Sequence, residues 1–294
     1  MGHVLRTVGL TKRFGDFTAL DSLDLEVAPG EVVGYLGPNG AGKTVTIRLV
    51  LGLLRPSAGY VELFGQDARR DVVETHRRLA YVPGEAALWP GLTGAETLDF
   101  IARLHGSVDR EYRDELVERF QLDPGKKVRA YSKGNRQKVN LIAALASRAE
   151  LLILDEPTSG LDPLMEAEFR ECCREARERG QAIFLSSHIL SEIEALCDRV
   201  GILRAGQLID IGTLAEMRHL AALRIEATFA GPPPDLAGLP GVENVRVTGN
   251  VLSCQVQGAV GPVLERLAKA EVTELISREP SLEELFLAHY GADG

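Results

Sequence analysis

The apolar segments of the chain predict an α/β fold: a mainly parallel sheet covered by helices on both faces, preceded by an antiparallel β region and followed by a small second α/β unit. Three observations carry this expectation. The N-terminal segment alternates apolar and polar residues, as half-exposed strands do. A strand, a glycine-rich turn and a helix then follow in direct succession. Further along, short continuous apolar runs such as "LLILD" and "QAIFLSS" alternate with helical segments, the pattern of parallel strands buried on both faces.

In order, "HVLRTVGLTKRF" and "SLDLEVAP" read as antiparallel sheet, with Leu23, Leu25 and Val27 pointing one way and Asp24 and Glu26 the other. "EVVGYL" is a strand, "GPNGAG" is turn chemistry, and "KTVTIRLVLGLL" has helical apolar spacing at Ile47, Leu49, Val50, Leu51 and Leu54. Residues 93–122 read as helices ("TGAETLDFIARLHG", "REYRDELVERFQL"), and another helix is expected over residues 135–147. After "LLILD" come a helix through "EAEFRECCREARERG", the strand "QAIFLSS", a short helix "LSEIEALC" and two strands around "DRVGILRAGQLIDIG". The core domain is therefore expected over residues 1–212, with a helical subdomain at about 84–148.

After Thr213 the character changes. "GPPPDLAGLPG" is rich in proline and glycine and is flanked by the strand-like "LRIEATFA", "VENVRVTG" and "VLSCQVQG". The helix "VGPVLERLAKA", the strand "EVTELISR" and the helix "SLEELFLAHY" follow. Residues 213–294 are expected to form a separate, ferredoxin-like α/β domain.

Composition narrows the function classes. The chain has 294 residues, 45% apolar and 26% charged, which suits a soluble globular protein. Its formal charge of −9 argues against a protein that coats nucleic acid, whose footprint is a basic surface. No apolar run reaches the ~18 residues of a membrane-spanning helix, and the start lacks a signal peptide, so a cytoplasmic location is expected. Cys172, Cys173, Cys197 and Cys254 form no C-x-x-C pair and have no His at metal spacing, so four reduced thiols are expected.

"GPNGAGKT", residues 37–44, fits the phosphate-loop pattern G-x-x-x-x-G-K-[ST] after a strand and at the opening of a helix. Gly37, Pro38, Asn39, Gly40, Ala41 and Gly42 would close backbone N–H groups around phosphate oxygens, where the helix dipole adds positive potential. Lys43 would reach the β- and γ-phosphates and the Thr44 hydroxyl would ligate Mg²⁺. The loop alone does not separate a kinase, a GTPase or a motor. "LLILDEP" delivers Asp155 to the sheet's C-terminal edge as a second Mg²⁺ partner, and places Glu156 next to it to face an attacking water. "IFLSSH" ends a third apolar run in His188, placed to contact the γ-phosphate.

These anchors in this order resemble the nucleotide-binding subunit of an ABC transporter over residues 4–212, which implies a P-loop NTPase fold of the ABC ATPase type. "YSKGNRQK", residues 131–138, takes the place of the family's L-S-G-G-Q signature. In that family two subunits pair head to tail, each ATP lying between the phosphate loop of one and the signature of the other. The resemblance thus implies that Ser132, Gly134 and Asn135 meet a nucleotide across a dimer interface, beside "TSGLD", whose Ser159, Gly160, Leu161 and Asp162 match the interface D-loop. It also implies that Phe14 stacks on adenine.

Four departures accompany the match. Lys133 replaces the first signature glycine and either adds charge toward phosphate or faces solvent; Tyr131 replaces leucine; Asn135 replaces glutamine. In "AYVPGEAALWPGLT", Gly84 stands where the family has a glutamine that reports on Mg²⁺ and water, leaving Glu85 or a water to fill the gap. The same stretch is where the resemblance puts the contact with an integral membrane permease, and Trp89 is either an anchor for that partner or packed inside the helical subdomain. "REPSLEELFLAHYG", residues 278–291, looks like the end of ATP-binding subunits of ABC-2-type exporters, the group with the daunorubicin-resistance pumps.

The implied protein is a Mg²⁺-dependent ATPase that energises export of drugs, lipids or glycans, held at the inner face of the membrane by its permease, with a second ATP-binding subunit as partner and no nucleic acid. The alternative is a soluble ABC ATPase acting on ribosomes or DNA, against which stand the acidic balance and the absence of a second ATPase domain and of a charged coiled-coil insertion. A small-molecule kinase leaves Ser132, the D-loop pattern and His188 unexplained.

Overall fold

The computed structural model describes residues 2–70, 72–106, 108–219 and 223–278. The chain divides into two compact units between Ile211 and Gly212. The first opens with β1 (Leu5–Phe14), β2 (Phe17–Val27), β3 (Val32–Leu36), α1 (Lys43–Val50), β4 (Ala58–Leu63), β5 (Gln66–Asp67), α2 (Val72–Arg77) and β6 (Leu79–Val82). It continues through α3 (Gly94–His105), α4 (Arg110–Arg119), α5 (Lys133–Ala146), β7 (Leu151–Asp155), α6 (Pro163–Glu178), β8 (Ala182–Ser187), α7 (Leu190–Leu196) and β9 (Arg199–Arg204) to β10 (Gln207–Thr213), whose last two residues fall past the division.

The main sheet has the order β10-β9-β3-β8-β7-β6, and β9, β3, β8, β7 and β6 pair in parallel. Every residue of β3, β7 and β8 is buried, which explains their unbroken apolar sequences. The antiparallel region is a second sheet, β2-β1-β4-β5. Leu23, Leu25 and Val27 point from β2 into a core shared with Tyr35, Ile47, Ile153 and Phe184 of the main sheet and α1. The alternation that signalled this region in the sequence is the alternation of that core with solvent.

Helix boundaries depart from the sequence expectation where capping decides them. The apolar spacing carried α1 to Leu54, yet it ends at Val50. Gly52 takes a left-handed conformation (φ +69°), and the N–H groups of Leu53 and Leu54 both fold back to the Arg48 carbonyl. The helix expected from Asn135 begins two residues earlier, because the Ser132 hydroxyl accepts the Asn135 N–H at 3.2 Å and so caps α5. Asp162 caps α6 in the same way, with Pro163 at the first helical position.

α3 and α4 pack on α5. Arg119 of α4 joins this group to α6 through ion pairs with Glu168 (2.6 Å) and Glu175 (2.8 Å). Tyr131, which stands where the signature pattern has leucine, is buried and donates its hydroxyl to the Asp123 carbonyl at 2.5 Å. Its replacement of leucine therefore fills the same interior with one added hydrogen bond.

The second unit contains α8 (Leu214–His219), β11 (Leu223–Phe229), β12 (Val242–Thr248), β13 (Val251–Val256), α9 (Gly261–Ala268) and β14 (Val272–Arg278). Its antiparallel sheet runs β12-β13-β11-β14, the strand order of a ferredoxin-like domain. Residues 230–241 occupy the first crossover without forming a helix. Three successive prolines there offer no N–H donors, and Leu236 supplies the apolar plug under β11 and β13 that a helix would otherwise give. The expected last helix, "SLEELFLAHY", and residues 279–291 of the exporter-like tail lie outside the described residues.

Burial pushes the thiols of all four cysteines above their ordinary range, Cys172 up to about 12.

Candidate functional site

Three neighbouring parallel strands end at one place. β3 leads into the glycine-rich loop and Lys43, β8 into His188, and β7 into Asp155 and Glu156. In open α/β sheets this C-terminal edge is where ligands bind.

The loop is shaped by contact as well as by sequence. Gly42 has φ +114°, and a Cβ there would stand 2.8 Å from the Ala19 carbonyl oxygen, so no other residue fits without displacing β2. Gly42 precedes α1 without any side-chain cap, and α1 has no acidic residue in its first turn. Its N-terminal N–H groups and dipole are thus left for an anion. Lys43 is only 6% exposed; its ammonium donates to the carbonyls of Gly37 (2.7 Å) and Pro38 (3.2 Å) and lies 3.4 Å from Glu156 Oε1.

His188 Nδ1 lies 3.1 Å from the other Glu156 oxygen, Oε2. The carboxylate is therefore held from both sides. Its backbone has φ +47°, an uncommon conformation for a residue with a side chain, and such strain clusters at functional sites. The turn parts the two adjacent acids. Asp155 accepts the Thr44 hydroxyl at 3.1 Å on Oδ2 and the Ser186 hydroxyl at 2.5 Å on Oδ1, while Glu156 faces Lys43 and His188.

An open cavity beside the loop is lined by Phe14, Phe17, Ala19, Asn39, Gly40, Lys43, Thr44 and Glu156, among others. Phe14 is 48% exposed, with the Lys12 ammonium 4.9 Å from its ring centroid. Phe17 pairs with Phe14 across the hairpin and is 66% exposed on the same sheet face. The sequence reading passed over Phe17, although an aromatic residue at each end of the two-residue Gly15-Asp16 turn was a signal for it.

The signature segment lies against the D-loop of its own chain. Ser132 is exposed and Gly134 buried, with Gly134 against the Gly160 carbonyl. Lys133 is exposed, as the second of its two sequence readings had it, and its ammonium donates to Ser159 Oγ at 2.7 Å. Leu161 N–H bonds to the Thr158 carbonyl, and Asp162 spends its Oδ1 on capping α6.

Sequence reasoning also missed Gln137. This buried amide, one turn along α5 from Lys133, donates to the carbonyls of Pro157 (3.1 Å) and Pro83 (3.4 Å). It links the loop that follows Glu156 with the loop that holds Gly84. Gly84 is itself close to β7: a Cβ there would be 3.2 Å from the Asp155 carbonyl oxygen. Trp89 is 50% exposed, packed edge-on against Phe100 at 4.7 Å, with Leu104 also exposed on α3. Of its two sequence readings, burial within the helical layer is the one excluded.

Comparison with known proteins agrees with this geometry. The family described as "ABC transporter" matches residues 20–159. The chain is 39% identical to the daunorubicin resistance ATP-binding protein DrrA3 of Streptomyces coeruleorubidus, covering 97% of this chain and 95% of that one. It is 40% identical to the bacitracin transport ATP-binding protein BcrA of Bacillus licheniformis, over 71% and 70% of the two chains. A solved ATP-binding subunit of an ABC transporter superposes with a TM-score of 0.69 at 33% identity, covering 73% of this chain and 92% of that one. The chain belongs to the ABC transporter family, as an ATP-binding and ATP-hydrolysing protein.

Proposed function

We propose that the chain is the ATPase subunit of a membrane exporter, one of two ATP-binding subunits that close head to tail on ATP and drive a separate permease. The observation that carries the reading is the Glu156 carboxylate held between Lys43 and His188 at the ends of three adjacent parallel strands.

In this reading Lys43 and the backbone N–H groups of residues 37–44 hold the β- and γ-phosphates of ATP, and Phe14 stacks on adenine. Mg²⁺ would supply positive charge that offsets the negative charge of the phosphates. Thr44 and Asp155 would hold it. One hydroxyl and one carboxylate suit a Mg²⁺ ion completed by phosphates and water, and no cluster of three His, Cys, Asp or Glu forms a separate metal site among the described residues. Glu156 polarises the attacking water. His188 and Lys43 stabilise the charge that develops on the γ-phosphoryl oxygens.

Ser132, Gly134 and Asn135 complete the site of the opposing subunit, with Ser159, Gly160, Leu161 and Asp162 crossing the interface. Since one chain carries both the phosphate loop and the signature, two copies suffice for two complete sites. The exposed Trp89, Phe100 and Leu104 are an apolar surface suited to a permease helix, which would hold the subunit on the cytoplasmic face of the membrane. No described helix is long and apolar enough to cross a membrane, so on this reading the pore belongs to another chain. Among the drugs, lipids and glycans expected as cargo, relatives named for daunorubicin resistance and bacitracin transport favour a drug-like one.

The test is affinity capture of tagged protein from gently solubilised native membranes, with partners identified by mass spectrometry. The expected result is a polytopic membrane protein at near-equal amount. Recovery of ribosomes or DNA-bound proteins from the soluble fraction, with nothing from the membrane, would move the same ATPase chemistry to a different machine.

A further inference from the structure

Lys133 sits where the signature pattern has glycine, and its position is unfavourable on electrostatic grounds. It is the first residue of α5, where the positive end of the helix dipole repels a cation. The first turn of α5 holds no acidic residue to offset it, and Arg136 adds a second positive charge. Lys133 nevertheless has one specific partner, Ser159 Oγ at 2.7 Å, and its stem lies over Gly160. That bond joins a cation to a neutral hydroxyl at an exposed position, so little free energy holds it against a stronger acceptor.

We propose that Lys133 is a γ-phosphate sensor: in the open subunit it holds the D-loop through Ser159, and on closure its ammonium transfers to the γ-phosphate of the ATP bound by the opposing subunit. This rests on the head-to-tail pairing proposed above. The anion is the better acceptor, because phosphate adds to the hydrogen bond a charge–charge attraction for the ammonium that a neutral hydroxyl lacks. The transfer frees Ser159 and Gly160 from Lys133 at the moment the interface forms. It places one added phosphate contact in each of the two sites.

The proposal makes the two ends of one hydrogen bond act in opposite directions. A bond that merely braces the D-loop would give both truncations the same sign. The experiment measures, by light scattering after size-exclusion chromatography, the ATP concentration at half-maximal dimer formation in the Glu156→Gln background. Lys133→Met is expected to raise that concentration about tenfold, the scale of one lost charged hydrogen bond. Ser159→Ala, which removes the competing acceptor, is expected to lower it about threefold, the scale of one solvent-exposed hydrogen bond. In the double variant Ser159→Ala should add nothing to Lys133→Met.

Fluorescent-nucleotide binding by the monomer should be the same in all four proteins, because neither side chain lines the cavity of its own subunit. A Lys133→Met midpoint equal to the parent's would overturn the proposal, as would a Ser159→Ala effect of the same size in both backgrounds. A Glu156→Gln parent that stays monomeric in ATP overturns the pairing itself, and the transfer with it.

Discussion

Replacing Glu156 by glutamine is expected to reduce steady-state ATP turnover by about 10²- to 10⁴-fold, the range a positioned general base contributes. The change is close to isosteric. The amide oxygen can still accept from Lys43 or from His188, which lie 3.4 and 3.1 Å from the two carboxylate oxygens. What disappears is a negative charge beside the polyanionic nucleotide. Lys43 is then left with only neutral carbonyl partners until phosphate arrives, so ATP affinity should be kept or raised. Binding without turnover should accumulate a closed dimer, visible as a doubled mass in ATP and absent in ADP. Turnover within a factor of two of the parent would remove Glu156 from the role of base.

The second large effect is expected at Gly134. A methyl group there would overlap the carbonyl oxygen of Gly160, which is backbone and cannot rotate away. Two contributions compete. Alanine gains about 1 kcal/mol over glycine as a helix residue, which favours the folded subunit. The overlap must be relieved by movement, and the short D-loop yields more readily than α5, whose inner face is packed in the core. Folding stability in Gly134→Ala should therefore change by no more than about 1 kcal/mol in urea unfolding. The D-loop, however, should be displaced by a fraction of an ångström or more from its place beside Lys133 and Gly134, and misplacement of about 1 Å can cost 10²-fold in rate. Loss of at least tenfold in turnover with retained monomer ATP binding is the expected outcome. Parental turnover would show that the close approach of the two glycines has no part in the reaction.

The phosphate loop, the two acids and His188 were legible in the sequence because each is a local event. A strand, a turn and a helix set Gly37 to Thr44 within one stretch, and a buried strand delivers Asp155, Glu156 or His188 wherever it ends. The contacts that organise these pieces were not legible. Lys133 meets Ser159 across 26 positions, and Gln137 meets Pro157 across 20, so no periodicity joins them. β6 was missed as well. "LAYV" is four residues long and its identity as a strand comes from pairing with β7, not from its own pattern. Helix ends failed for a related reason: apolar spacing continued past Val50, but the left-handed Gly52 decided where α1 stops.

The thiol chemistry of the chain bears on how its motions can be followed. Nucleophilic attack on maleimides or disulfides requires thiolate, and burial keeps that form scarce at Cys172, Cys173, Cys197 and Cys254. The four native sulfurs should be silent toward such reagents in the folded protein, which one labelling assay without denaturant would check. A single cysteine placed at an exposed site such as Leu104, 68% exposed, would then carry a reporter dye alone. Spectroscopic tracking of the subunit can proceed in a background that keeps every native side chain of its interior.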